Sequence, residues 1–103
     1  MKTVNIKIGQ SNTINIGDFS NIKPNIEISV SDVPIERAEE VTDILTYITS
    51  MYSNQEFHRG VIEADGKGVI VRHGLLKLLE DTKIDYDAEI NDGWKGLQKV
   101  LGK

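Results

Sequence analysis

From Val4 to Val30 apolar and polar residues alternate in three short runs: Val4, Ile6 and Ile8 around Asn5 and Lys7; Ile14 and Ile16; then Ile26, Ile28 and Val30 around Glu27 and Ser29. A period of two is that of a β-strand with one apolar face. Gly9–Thr13 and the pair Gly17 and Asp18 interrupt the runs as turn clusters. The third break, Asn21–Asn25, holds Pro24, which has no N–H to give to a continuing ladder. The pattern predicts three strands in one antiparallel sheet. Asn-Ile pairs recur at 5–6, 15–16, 21–22 and 25–26, but three short strands are too few for a solenoid.

Such a face needs a cover, and the next segment supplies one. Ile35, Ala38, Val41, Leu45, Ile48 and Tyr52 follow helical spacing, with Ile44 and Met51 widening the stripe and Glu36, Glu39, Glu40 and Asp43 opposite. Asp32 and Pro34 suit a helix start, and acids in the first turn favour the positive end of the dipole. The spacing predicts a helix over 34–54.

Beyond it, RGVIEADGKGVIVRHG reads as a hairpin about Asp65-Gly66, a dipeptide that suits a primed turn. That register sets Ala64 opposite Lys67, Ile62 opposite Val69, Arg59 opposite Arg72 and His58 opposite His73. LLKLLED after Gly74 suits a short helix, and KIDYDAEI places Ile84, Tyr86, Ala88 and Ile90 on one side of a strand. Trp94, Leu97, Val100 and Leu101 return to helical spacing, capped by Asn91 or Asp92 and weakened by Gly93 and Gly96. The expected fold is a single α+β domain over 1–103. It has a three-stranded antiparallel N-terminal sheet packed on one amphipathic helix, followed by a hairpin and short C-terminal helices. So small a sheet leaves open edges, and pairing into a homodimer is the expected remedy.

Composition narrows the chemistry. The chain of 103 residues contains no cysteine, which removes disulfides, thiol catalysis and cysteine-ligated zinc. No apolar run approaches the roughly 20 residues of a membrane span, and MKTVNIKIGQ lacks the apolar core of a secretion signal, so the expected location is the cytoplasm. The formal net charge is −4, and the acidity is concentrated. Residues 34–56 carry one cation and five anions. Gripping a phosphate backbone takes a clustered cationic surplus, so the composition argues against nucleic acid as the main partner.

Among candidate sites, the sharpest is the quartet His58, Arg59, Arg72 and His73. Facing arginines repel unless an anion separates them, and a phosphate-bearing ligand would match their guanidinium forks. Neighbours on a strand point to opposite faces, so both pairs share one pocket only with a bulge. The two histidines with a carboxylate such as Glu56 lack zinc-site spacing, and no metal or cofactor is expected. Ser, His and Asp occur without a nucleophile elbow, and the glycine clusters lack a phosphate-loop ending. Tyr47, Phe57 and Trp94 are not clustered with cations as a single-strand platform requires. The acidic face Glu36, Glu39, Glu40 and Asp43 is either a solvated helix face or a docking surface for a basic groove on a partner.

The stretches KTVNIKIGQ and TINIGDFSNIKPNIEISVSDV, followed by IERAEEVTDILTYITSMYS, resemble small early-region proteins of tailed phages. Those begin with strands around an N-I-G-[DN]-[FY] core and continue into one amphipathic helix. The resemblance covers about the first half of the chain. It implies a phage or prophage origin and a bacterial host, in a gene neighbourhood that serves recombination or antagonises host defence. The expected function is a non-enzymatic interaction protein that binds and modulates a host or viral protein. One alternative is a binding module for a nucleotide or phosphorylated signal, using Arg59 and Arg72. A second is a recombination accessory contacting single-stranded DNA.

Overall fold

A computed structural model describes residues 2–17, 20–72 and 74–102, with the side chain of Ser20 left aside. The chain is α+β. Its elements are β1 (Thr3–Ser11), β2 (Ile14–Gly17), β3 (Ser20–Ile22), β4 (Asn25–Pro34), a 3₁₀ turn (Ile35–Arg37), α1 (Ala38–Gly66), α2 (Leu75–Asp81) and α3 (Tyr86–Val100).

The N-terminal strands do not form a three-stranded sheet. β1 pairs only with β4 and β2 only with β3, both antiparallel, among the described residues. The partner numbers sum to 36 from Ile6 opposite Val30 through Asn15 opposite Asn21, so the two ladders share one register. They are two stretches of a single long hairpin. Gly9, Gln10 and Ser11, read as a turn, instead continue the ladder opposite Glu27, Ile26 and Asn25. The break between the stretches falls at Pro24, whose carbonyl accepts from the Asn12 N–H at 3.1 Å. Proline has no N–H to return, so the ladder lapses there without changing course. A bulge at Ser31 and Asp32, opposite Asn5, completes the ribbon. Asp32 takes φ 58° and gives its N–H to the Asn5 Oδ1 at 3.1 Å. Aspartate is one of the few residues that tolerates that region.

The division of faces read from the alternation holds. Val4, Ile6, Ile8, Ile28 and Val30 are partly buried against the core, Ile16 is buried, and Asn5, Lys7, Glu27 and Ser29 are exposed. Gln10 occupies an inward position and donates from Nε2 to the Ser50 Oγ of α1 at 2.9 Å.

The larger departure is in α1, which runs 29 residues and absorbs the first arm of the expected hairpin. The cluster read as its turn is the helix end. Val69 N–H donates to the Ala64 carbonyl at 3.0 Å and Gly68 N–H to the Asp65 carbonyl at 3.1 Å. With Gly68 at φ 86°, these are the two bonds of a Schellman cap. Of the second arm, residues 69–72 lie outside any helix or ladder and touch β2 where the Arg72 N–H donates to the Ile16 carbonyl at 2.6 Å. α2 forms as expected. The expected strand KIDYDAEI is instead the entry to α3, capped by the Asp85 carboxylate accepting from the Ala88 N–H at 3.1 Å. Asn91 and Asp92 therefore lie inside the helix.

A helix of this length spans about 43 Å, longer than one compact core requires. The molecule extends 55 × 24 × 17 Å, and its radius of gyration of 16.7 Å exceeds the ~13 Å of a compact chain this size. Two buried clusters lie along α1. Val33, Val41, Leu45 and Leu97 join the ribbon base, the first half of α1 and α3; Ile16, Val61 and Leu79 join the ribbon end, the second half of α1 and α2. α3 runs antiparallel to α1, since Gln55 meets Asp87, Ile48 meets Gly93 and Leu45 shares its cluster with Leu97.

Candidate functional site

The acidic face of α1 leads into a groove between α1 and α3. Glu40, Asp43 and Tyr47 share a helix face by their spacing, and Glu36 lies in the 3₁₀ turn just before it. The groove is shallow and open to solvent, has a volume of about 350 Å³, and is lined on α1 by Asp43, Ile44 and Tyr47 and on α3 by Glu89, Asp92, Gly93 and Gly96. Two of the lining residues are joined across the groove, the Tyr47 hydroxyl donating to the Glu89 Oε2. That hydrogen bond first, then burial, then the charges of Glu89 and Asp92 hold the Tyr47 hydroxyl above its ordinary 10.0. It is therefore a proton donor throughout the neutral range.

The two glycines have different reasons to be there. A Cβ on Gly93 would fall 2.6 Å from the Ile48 Cγ1, so α3 approaches α1 there more closely than any side chain permits. A Cβ on Gly96 would meet nothing within 4 Å. The first glycine is required by packing; the second opens the hollow. None of Asp43, Glu89 and Asp92 has an ion-pair partner among the described residues, where the pairs are Lys7–Glu27, Arg37–Glu40 and Arg59–Glu56.

Of the acidic residues expected from the sequence, Glu36 and Glu39 are exposed, Glu40 pairs with Arg37 at 3.0 Å, and Asp43 forms the groove rim. The arginine pair is not assembled by a hairpin. Arg59 lies on α1 and pairs with Glu56 at 3.1 Å, while Arg72 donates to the Asn15 Oδ1 at 3.2 Å. His73 lies outside the described residues. His58 separates two further hollows of about 280 and 290 Å³, both also lined by Ile62. It sits edge-on to Tyr86 at 6.0 Å, and its Nδ1 is buried without a hydrogen-bond partner. No group of three metal-ligating side chains occurs among the described residues, and no helix there is long and apolar enough to cross a membrane.

Of the groove lining, the sequence pattern singled out only Asp43 as a site residue, with Ile44 read as part of the apolar stripe and Tyr47 as a core edge, and it singled out nothing on α3. The spacing of Glu89, Asp92, Gly93 and Gly96 at i, i+3, i+4 and i+7 was the available signal, and reading KIDYDAEI as a strand hid it. Comparison with family models, curated proteins and solved structures finds no match to this chain.

Proposed function

We propose that this protein is a non-enzymatic interaction module that binds another protein through the acidic track running from Glu36 along α1 into the α1–α3 groove. The observation that carries this reading is the groove itself: an apolar floor bordered by Asp43, Glu89 and Asp92, none of them in an ion pair among the described residues. Carboxylates left unneutralised beside an apolar surface complement a basic, amphipathic partner and speed its approach. The resemblance to early-region phage proteins implies a partner from a bacterial host or from the phage itself, such as a defence or DNA-processing factor.

The test is affinity capture from bacterial lysate with wild-type protein and with the Glu36→Lys, Glu40→Lys, Asp43→Lys triple variant. A partner that binds directly when purified, dissociates as salt rises and ignores the triple variant supports the reading. Partners retained equally by both proteins sink it.

A further inference from the structure

Gly96 is a costly residue in the middle of α3. A glycine in a helix interior loses roughly 1 kcal/mol relative to alanine, and Gly93 recovers that cost through its contact with Ile48. Gly96 has no such contact, for a Cβ there would enter open space. What the missing side chain leaves open is part of the hollow that Gly96 lines together with Ile44, the carboxylates of Asp43 and Asp92, and the hydrogen-bonded Tyr47 and Glu89. Stability given up at a site with no internal use is a recurrent mark of binding surfaces.

We infer that the hollow over Gly96 receives a single long cationic side chain, an arginine or lysine on a basic segment of the partner protein. This rests on the reading of the acidic face given above and adds the residue class recognised. The aliphatic stem lies on Ile44 and the bare backbone of Gly96, as long basic side chains cover apolar surface while keeping their heads polar. The head meets Asp43 and Asp92, and the exposed ring of Tyr47 (42% accessible) offers a cation–π face. Anionic ligands are repelled by the same three carboxylates. The chain's own exposed cations on α3, Lys95 and Lys99, stand outside the groove lining.

The probe is a fluorescein-labelled alanine–leucine helical peptide with arginine at every fourth position, beside a copy in which citrulline, neutral and nearly isosteric, replaces each arginine. Anisotropy should show the arginine peptide binding wild-type protein and the citrulline peptide binding about tenfold more weakly or worse, one decade per lost charge-assisted contact. Gly96→Leu should weaken arginine-peptide binding by a similar factor while its melting temperature stays at or above that of wild type, which separates a blocked groove from a damaged fold. Asp43→Asn with Asp92→Asn should weaken it without blocking the space. If the peptide binds Gly96→Leu as well as wild type, the hollow is not used and the inference fails, while the broader acidic docking surface stands. If wild-type protein binds neither peptide, the inference also fails, and lysate capture judges the docking surface separately. If wild-type protein forms a dimer that Gly96→Leu dissolves, the occupant is a second copy of this chain and the partner assignment is overturned.

Discussion

Placing alanine at Gly93 and at Gly96 makes the same chemical change three residues apart on one helix, and the structure assigns the two changes opposite signs. Both gain about 1 kcal/mol of helix propensity. At Gly96 little opposes that gain, since the new Cβ has no atom within 4 Å, and Gly96→Ala should stabilise the fold by nearly the whole amount. At Gly93 the new Cβ lies 2.6 Å from the Ile48 Cγ1 and 3.2 Å from its Cδ1, against the ~3.5–4.0 Å of an unstrained carbon contact. Ile48 is fully buried, so it has no solvent to swing into, and α3 must move outward by about 1 Å. Overpacking of this kind costs about 1–3 kcal/mol, leaving Gly93→Ala about 0–2 kcal/mol less stable than wild type after the propensity gain. Urea unfolding followed by circular dichroism reads the difference. The two variants then differ by about 1–3 kcal/mol, and with a slope of about 1–1.5 kcal/mol per molar their midpoints should separate by about 1–3 M. A double-mutant cycle adds a second check, because Ile48→Ala should cost less in the Gly93→Ala background than in wild type. Equal shifts in the same direction for both alanines would refute the close approach of α3 to α1.

Three further outcomes test other parts of the account. Gly68→Ala should cost about 1 kcal/mol by forcing an L residue into the left-handed region that ends α1, and amide exchange should remain protected through residue 64; a hairpin at Asp65-Gly66 would leave residues 59–64 with the alternating protection of a strand. Asp85→Ala should cost about 1 kcal/mol as a lost cap, whereas Asn91→Ala should be neutral or slightly stabilising inside α3; the reverse order in chemical denaturation would return the helix start to residue 91. In an alkaline titration followed by tyrosinate absorbance, Tyr47 should ionise above 10.0, and Glu89→Gln should bring it back toward the ordinary value. Because the folded value is raised, the stability from this contact is complete below 10.0 and is lost as pH climbs through the raised value. A Tyr47 titration unchanged by Glu89→Gln would place the cause elsewhere.

Alternation along Val4–Val30 and the apolar spacing of Val41, Leu45, Ile48, Trp94 and Leu97 were enough to say which side of each element turns inward. Each is a local property, set by where consecutive Cβ atoms point. The same holds for the acids of α1, which a helix of any length carries on its outer face. What the sequence could not assign was the meaning of its polar and glycine-rich breaks. Gly9–Thr13 looks like a turn and is a straight passage, because Pro24 across the ribbon interrupts the ladder without reversing it. Asp65-Gly66 looks like a hairpin turn and is the last turn of α1, because Val61 and Ala64 find the ribbon end and α2 to pack against while still helical. Glycine, aspartate and asparagine serve turns, caps and bulges alike, and distant contacts decide among them. The groove belongs to that second class: its walls lie on α1 and α3, some 45 residues apart in sequence, and only the antiparallel docking that Gly93 permits on Ile48 brings Asp43 beside Asp92.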